Sequence, residues 1–181
     1  MFIKRICYPV TALGPGLRIG IWVTGCEKNC PGCMSPELRS REAGRQIGVG
    51  DVLGMLNTID GPVDGVTISG GEPFLQPDEL KSLVCGIRES ITEDIIVYSG
   101  YTLSELNAQN CQSITAILDN ISVLIDGPYV DGMNDGIGIR GSSNQNIHIF
   151  RPDADYRDLA HGKRSIQSFR YNNQILLIGI Q

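Results

Sequence analysis

Apolar runs of strand length alternate with segments of helical spacing along most of this chain. The apolar runs predict strands at residues 17–24, 63–69, 94–99, 121–126, 146–150 and 175–180. Helical periodicity predicts helices at residues 49–59, 78–91 and 103–118. Strands that alternate with helices are typical of a parallel sheet whose strands are joined by crossover helices. The pattern therefore predicts an α/β fold.

Three segments add detail to this pattern. The third helical segment has a predicted break near Asn110, and residues 127–141 hold five glycines, which predicts a long loop. Residues 151–173 are polar and weakly patterned, so no element is predicted there. In parallel α/β folds, ligands bind at the carboxyl ends of the strands. The residues that directly follow each predicted strand are therefore the first place to look for a site.

The composition favours one globular domain spanning residues 1–181. Of the 181 residues, 41% are hydrophobic, which suffices for one core but not for two comfortable ones. The net charge of −5 gives no reason to expect nucleic acid as a partner. The apolar run at residues 175–180 is far too short to span a membrane, and the amino terminus lacks the apolar stretch of a signal peptide. We therefore expect a cytoplasmic protein whose six cysteines form no disulfide framework.

Three cysteines form the most distinctive motif of the chain. Cys26, Cys30 and Cys33 are spaced C-x3-C-x2-C directly after the first predicted strand. Thiolates suit iron–sulfur clusters, and three ligands on a four-iron cluster would leave one iron open to bind another molecule. The alternative is a structural zinc site, which normally requires four ligands from paired elements. The only histidines, His148 and His161, form no such pair, so the motif favours a [4Fe-4S] cluster.

A second motif, Gly70-Gly71-Glu72-Pro73, ends the second predicted strand. Two glycines allow the backbone to approach a ligand closely and to adopt otherwise strained angles. A carboxylate beside them can balance an ammonium or sulfonium charge. Alone, the motif is equally typical of a plain strand-to-helix turn. Its position one helix after the cysteine motif is what favours a binding site.

Together these two motifs resemble those of the radical S-adenosylmethionine (SAM) enzymes. Four further segments are similar to the anaerobic ribonucleotide reductase activating proteins, a group of glycyl-radical activases, and they are ALGPGLR at 12–18, YSGYTLSEL at 98–106, LIDGPY at 124–129 and RGSSNQ at 140–145. The resemblance covers about residues 10–150. It implies an incomplete parallel (β/α) barrel of the radical SAM type, with residues 151–181 as a carboxyl-terminal extension of unclear role. It also implies that SAM is cleaved to a 5′-deoxyadenosyl radical, which removes a hydrogen atom from a glycine of a partner protein.

The resemblance also implies roles for individual residues. Three residues would ligate the cluster, namely Cys26, Cys30 and Cys33. Three others would meet the amino group of SAM, namely Gly70, Gly71 and Glu72. Gly32 and Met34 flank the last cluster ligand, where adenine approaches. Most radical SAM enzymes carry an aromatic residue at the place of Gly32, but the activase group tolerates glycine there.

Each of five further residues has two interpretations. Ser99 and Asp126 are candidates for contacts with the carboxylate and ribose of SAM, but Ser99 could equally cap the next helix and Asp126 could belong to a turn. Arg140, Asn144 and Gln145 could hydrogen-bond SAM or brace the last strand of the core.

The resemblance implies two protein partners. One is a large glycyl radical enzyme, an anaerobic ribonucleotide reductase, and the other is a low-potential electron donor such as a flavodoxin. Two alternatives stay open. The first is a radical SAM enzyme that acts on a small molecule or a peptide, similar to 7-carboxy-7-deazaguanine synthase or to peptide-modifying enzymes. The second is a non-catalytic cluster or zinc module that recruits another protein.

Overall fold

A seven-stranded sheet with helices against it forms the centre of the molecule. The computed structural model describes residues 1–171 and 174–180; residues 172, 173 and 181, which belong to the predicted extension, lie outside the described residues. The strands are β1 (Phe2–Val10), β2 (Arg18–Val23), β3 (Arg45–Gln46), β4 (Gly65–Gly70), β5 (Ile95–Tyr98), β6 (Val123–Asp126), β7 (Asn146–Ile149), β8 (Ile166–Tyr171) and β9 (Gln174–Gly179). The helices are α1 (Val49–Asn57), α2 (Pro77–Ser90), α3 (Leu103–Ala108) and α4 (Gln112–Asn120), and the short 3-10 turns are Pro36–Leu38, Arg41–Ala43, Pro73–Leu75 and Asp131–Met133.

The middle of the sheet is parallel, as the sequence pattern predicts. The strand order is β3-β1-β2-β4-β5-β6-β7, and β2, β4, β5 and β6 pair in parallel. Every residue of β2 and β6 is buried, which is typical of strands covered on both faces. The connections pass through α1, through α2, and through α3 with α4. The predicted alternation of strands and helices is therefore confirmed for this part of the chain.

The two sides of the sheet are antiparallel, so the sheet as a whole is mixed. β1 pairs with β2 and with β3 in antiparallel fashion, and β7 pairs with β6 in the same way. The sequence pattern indicates no element at the position of β1. The charged pair Lys4 and Arg5 interrupts its apolar alternation, because this strand is only half buried. The molecule is thus a mixed α/β domain with a mostly parallel central sheet.

The predicted break near Asn110 is confirmed. α3 ends at Ala108 and α4 begins at Gln112. Between them Asn110 adopts a positive φ of 49°, a conformation in which asparagine is more common than most residues. The start of α3 is fixed by a capping box, because Thr102 accepts a hydrogen bond from the Glu105 backbone and the Glu105 carboxylate accepts one in return.

The segment beyond residue 150 covers the face of the sheet that the helices leave open. Tyr156 and Leu159 pack with Ile96 and Val123 in one apolar cluster. At the other end of the sheet, β8 and β9 form a two-stranded hairpin, and Ile178 is buried in a second cluster with residues that include Val10, Leu13, Trp22 and Leu38. The predicted strand at residues 175–180 thus exists, but within the described part of the chain it pairs with β8 and does not extend the main sheet.

The hairpin is also held by hydrogen bonds to the turn that follows β1. Gln167 Nε2 donates to the Pro9 carbonyl oxygen at 2.8 Å, and the Thr11 backbone N–H donates to Gln167 Oε1 at 3.0 Å. This one side chain therefore satisfies a donor and an acceptor of the turn.

A buried ion pair joins the central strands to this carboxyl-terminal segment. Arg18 is completely buried at the start of β2, and its guanidinium donates to both oxygens of Asp94, at 2.6 and 3.1 Å. Its Nε also donates to Thr67 Oγ1 at 2.7 Å, within β4. Tyr156 adds its hydroxyl to Asp94 Oδ1 at 2.7 Å. One guanidinium therefore ties β2, β4 and β5 together.

None of the helices in the described part of the chain combines the length and the apolar character needed to cross a lipid bilayer.

The ion pair gives a first prediction. Arg18→Met keeps an apolar stem but leaves Asp94 buried without its charged partner, so it should lower the free energy of unfolding by about 3–5 kcal/mol. As a matched control, Glu93→Gln removes the negative charge that pairs with Arg88 at the surface, where the Glu93 side chain is 69% exposed, and should cost less than about 1 kcal/mol. Urea denaturation measures both. Equal losses for the two variants would contradict the central role of Arg18.

Candidate functional site

The predicted site residues meet at the carboxyl ends of the parallel strands. A cavity of about 280 Å³ lies there. Of the predicted site residues, those that border it are Cys26, Cys30, Cys33, Met34, Gly70, Gly71, Glu72, Ser99 and Gln145. Gly32, Asp126, Arg140 and Asn144 do not border it. A second cavity of about 310 Å³ lies beside Gly14 and Pro15, before β2, and contains none of the predicted residues.

The cysteine loop leaves the end of β2 and is held at its base by backbone hydrogen bonds. Gly25 N–H donates to the Leu38 carbonyl and Cys26 N–H to the Arg39 carbonyl, both at 2.9 Å. The Arg39 side chain reaches back and donates to the Cys30 carbonyl at 2.7 Å. The loop is thus attached at both ends, and its thiols border an open cavity and are not packed into the core.

The three thiols are half buried and free. Burial raises the pKa of the Cys26 thiol; the nearby Glu72 and the other two thiols also raise it, while a backbone hydrogen bond from Lys28 opposes the change. Among the described residues, no three His, Cys, Asp or Glu side chains are gathered closely enough to hold a metal ion already. Metal binding here would therefore be coupled to loss of protons and to adjustment of the loop.

The donor set fits an iron–sulfur cluster better than a structural zinc ion. Three soft sulfur donors border the cavity, whereas structural zinc requires four ligands. His148 and His161 do not border the cavity, and the other three cysteines, Cys7, Cys85 and Cys111, do not border it either. The site thus supplies three ligands and an adjoining space, which matches a cluster with one open iron.

The two glycines allow the end of β4 to pack closely against the base of the cysteine loop. A Cβ atom added to Gly70 would lie 2.3 Å from the Val23 carbonyl oxygen, and one added to Gly71 would lie 2.4 Å from the Gly25 carbonyl oxygen. Gly70 also has φ of 118°, which other residues rarely adopt. Hydrogen bonds from Gly71 N–H to Val23 and from Glu72 N–H to Gly25 seal the contact. The glycines are therefore required by the approach of two chain segments, beside a cavity that both segments border.

Glu72 lies at the floor of the cavity and links β4 to β5. Its side chain is almost fully buried. Oε1 accepts hydrogen bonds from Phe74 N–H and from Ser99 Oγ, both at 3.0 Å, and Oε2 accepts one from Gly100 N–H at 2.6 Å. Burial raises the pKa of this carboxyl group to about 7, although these hydrogen bonds and the charge of Lys28 act in the opposite direction.

Ser99 and Asp126 are both engaged within the protein. Ser99 Oγ accepts a hydrogen bond from Tyr101 N–H at 3.0 Å, so it acts as a turn residue, while Thr102 caps α3. Asp126 Oδ2 accepts a hydrogen bond from Leu103 N–H at 2.5 Å and lies 3.0 Å from His148 Nε2. Burial works against ionisation of Asp126, but its hydrogen bonds, including one from Asn146, outweigh this and lower its pKa.

The residues at 140–145 mostly brace the last strand of the core. Gln145 Oε1 accepts hydrogen bonds from the backbone of Gly141 and Ser142, and its Nε2 donates to the Gly127 carbonyl at 2.7 Å. Asn144 Nδ2 donates to the Pro128 carbonyl, while its Oδ1 is buried without a partner among the described residues. Arg140 pairs with Asp135 at 3.0 Å. Gln145 and the backbone of Gly141 border the cavity, whereas Arg140 and Asn144 do not, so bracing is the role that the contacts of Arg140, Asn144 and Gln145 support.

The two residues beside the last cysteine are placed differently. Met34 borders the cavity and is 40% exposed, so its side chain can move to meet a ligand. Gly32 is exposed and lies next to the Asp131 side chain. A Cβ atom added to Gly32 would lie 2.8 Å from that side chain.

The cavity wall also contains residues that the sequence did not predict, among them Arg5, Lys28, Glu37, Tyr98 and Tyr129. Lys28, inside the cysteine loop, places its Nζ 3.8 Å from the centre of the Tyr101 ring and 3.4 Å from Glu105. Its position between two predicted ligands could have identified it. A further part of the wall is contributed by residues 176–180 of the hairpin, for which the sequence held no signal beyond an apolar strand.

Comparison with known proteins identifies relatives over most of the chain. Residues 12–148 match the family model of the 4Fe-4S single cluster domain. The anaerobic ribonucleoside-triphosphate reductase-activating protein of Escherichia coli K12 is 39% identical over 153 residues, which are 80% of this chain and 96% of that protein. The protein of the same name from Vibrio cholerae is 34% identical over 152 residues, 79% of this chain and 95% of that protein. The one from phage T4 is 27% identical over 138 residues, 74% and 85% of the two chains.

The buried carboxyl group gives a second prediction, for the metal-free protein. Because the folded-state pKa of Glu72 is raised, this group favours the folded state below its ordinary pKa of 4.5, and that contribution is lost as the pH rises to about 7. The free energy of unfolding should fall by about 3 kcal/mol more in the wild type than in Glu72→Gln over this interval. Urea denaturation at a series of pH values measures the difference. If the free energy of unfolding changed equally with pH in the two proteins, ionisation of Glu72 would not destabilise the folded state, and the prediction would be wrong.

Proposed function

Because this chain belongs to the family of the anaerobic ribonucleoside-triphosphate reductase-activating proteins, we propose that it is a radical SAM oxidoreductase that works with a [4Fe-4S] cluster. Its substrate would be a glycine residue of a large partner enzyme, an anaerobic ribonucleoside-triphosphate reductase. The product would be a glycyl radical on that enzyme, formed under anaerobic conditions.

One observation carries this proposal. The three cysteines and the Gly70-Gly71-Glu72 turn are separated by a helix in the chain, yet they border one cavity at the carboxyl ends of β2 and β4. A thiolate set for a cluster therefore adjoins a space for a second ligand. A module that only held a metal for structure would need no such space.

In this proposal, Cys26, Cys30 and Cys33 hold the cluster, and Gly70, Gly71 and Glu72 border the place of the SAM amino group. When bound, the cluster and SAM together supply a reducing electron and the 5′-deoxyadenosyl radical that takes a hydrogen atom from the glycine Cα. The protein residues bind and orient these groups and keep water away from them.

The buried Glu72 acts mainly through its position. Its three hydrogen bonds hold the end of β4 to Ser99 and Gly100, which fixes the cavity floor. With a pKa of about 7, its carboxyl group can be protonated in the protein without cofactors, and a cationic amino group nearby would favour its ionised form. Met34, Gly32, Ser99, Asp126 and Asn144 remain candidates for weaker SAM contacts, with Ser99 and Met34 better placed because they border the cavity.

We further propose that the sheet is the incomplete parallel (β/α) barrel of the radical SAM fold. The four parallel strands with crossover helices support this assignment, and the segment beyond residue 150 covers their open side. The proposal includes a flavodoxin-like or other low-potential electron donor as a second partner. It also includes a cytoplasmic location, where thiols stay reduced.

The decisive experiment is anaerobic. The protein is reconstituted with iron and sulfide, and SAM and dithionite are added with and without the anaerobic ribonucleoside-triphosphate reductase of the same organism. We expect 5′-deoxyadenosine and, only with the reductase, the electron paramagnetic resonance doublet of a glycyl radical. Formation of 5′-deoxyadenosine without the doublet would instead indicate a small molecule or a peptide as the substrate. Intact SAM would indicate a non-catalytic module.

A single substitution tests the cluster ligands. Cys30→Ala should remove the broad visible absorbance of the reconstituted cluster and reduce SAM cleavage to background, because two thiolates cannot hold the cluster in place. Cys85→Ala is the control, since Cys85 is also a half-buried free thiol but lies in α2, away from the cavity. Absorbance and cleavage equal to those of the wild type in Cys30→Ala would exclude Cys30 as a ligand.

A further inference from the structure

The hairpin presents the edge of β9 to the cavity. Residues 176–180 border the cavity without a gap. Side chains alternate between the two faces of a strand, and the exposures follow this rule: Ile178 is 3% exposed, whereas Leu177 is 52% and Ile175 is 75% exposed. An unbroken run that includes residues of both faces cannot border a space with one face only. The backbone edge of β9 therefore faces the cavity.

This edge is open. β9 pairs along one side with β8 in a two-stranded sheet, and no described residue pairs with its other side. In an antiparallel pair, every second residue directs its N–H and C=O groups away from the partner strand. These groups can receive the backbone of an extended chain.

The hairpin is held firmly enough to serve as a template. Gln167 fixes β8 to the turn after β1, and Ile178 is buried in the apolar cluster around Trp22. Just before β8, Arg164 donates to the carbonyl oxygens of Arg140 and Gly138, at 2.6 and 3.2 Å. A preformed edge loses little conformational entropy when a chain binds to it.

The proposed substrate fits this edge by its chemistry. A glycine has no side chain through which it can be recognised, so a binding site must read the backbone around it. Resting on the proposed function, we propose that an extended segment of the partner reductase, which carries the target glycine, pairs with the free edge of β9 as a third strand. Leu177, whose side chain is 52% exposed, would then contact a side chain next to the glycine on the outer face of the hairpin.

This docking edge lies outside the residues that match the family model. The family model ends at residue 148, whereas β9 begins at Gln174. The cysteines and the Gly70-Gly71-Glu72 turn lie within the match, so the cofactor site and the docking edge come from different parts of the chain. Because residues 176–180 also border the cofactor cavity, the effect of a hairpin substitution on recognition of the reductase must be measured relative to SAM cleavage in the absence of the reductase.

Two matched variants test the proposal. Leu177→Lys places a charge beside the free edge, and lysine at an edge strand opposes pairing with a further strand. Ile166→Lys is the control, because Ile166 is 55% exposed, belongs to the same hairpin and does not border the cavity. For each protein, the glycyl radical formed on the reductase is measured by electron paramagnetic resonance and divided by the 5′-deoxyadenosine formed without the reductase.

We expect this ratio to fall by about tenfold in Leu177→Lys and to stay within about twofold of the wild type in Ile166→Lys. Hydrogen exchange of the wild type should show that the reductase protects amides of β9 and leaves those of β8 unchanged. Equal ratios for the two variants, or protection that avoids β9, would overturn the proposal. So would protection of β9 that appears without the reductase as protein concentration rises, because the occupant would then be a second copy of this chain.

Failure of the proposed function would look different. The wild type would then give no glycyl radical, while hydrogen exchange would still report directly whether the reductase pairs with β9.

Discussion

The close contact between the end of β4 and the base of the cysteine loop is the constraint on which the site depends. Two carbonyl oxygens, of Val23 and Gly25, occupy the space that side chains at residues 70 and 71 would need. Only glycines allow the two segments to meet, and this contact places Glu72 at the floor of the cavity. There its carboxyl group accepts hydrogen bonds from Ser99 and Gly100, which directly follow β5. The shape of the cavity therefore depends more on backbone packing than on its side chains.

The sequence was informative where burial is complete. β2, β4, β5 and β6 are almost entirely buried, because both faces of the parallel sheet are covered, and the sequence located all four to within two residues at each end. It located the α3–α4 break through Asn110. β1 and β8 were missed because each has one face toward water, so charged and polar residues such as Lys4 and Gln167 interrupt the apolar pattern. Their place depends on partners that are distant in the chain.

The candidate site could be predicted in part for a similar reason. The spacing of Cys26, Cys30 and Cys33 and the glycine pair are local features, and they lead directly to the cavity. The hydrogen bonds of Glu72 and Asp126 are not local, since they join residues from different strands. The sequence therefore indicated which carboxyl groups lie near strand ends, but it could not indicate that both are already engaged within the protein. It also could not place the hairpin as a cavity wall, because that depends on how Ile178 packs against Trp22.

The cover that Tyr156 and Leu159 provide has a consequence for the order of events during synthesis. The ribosome makes the parallel strands first, and domains tend to fold from the amino terminus as the chain emerges. Until residues 151–165 have left the ribosome, one face of β5 and β6 lacks the cover of Tyr156 and Leu159, and Asp94 lacks the tyrosine hydroxyl that contacts it in the complete molecule. The nascent chain would thus display an apolar sheet face for the time needed to make its last part. A chaperone that binds exposed apolar strands could bind this face of β5 and β6 during that interval. It would be displaced when the final segment packs against the sheet.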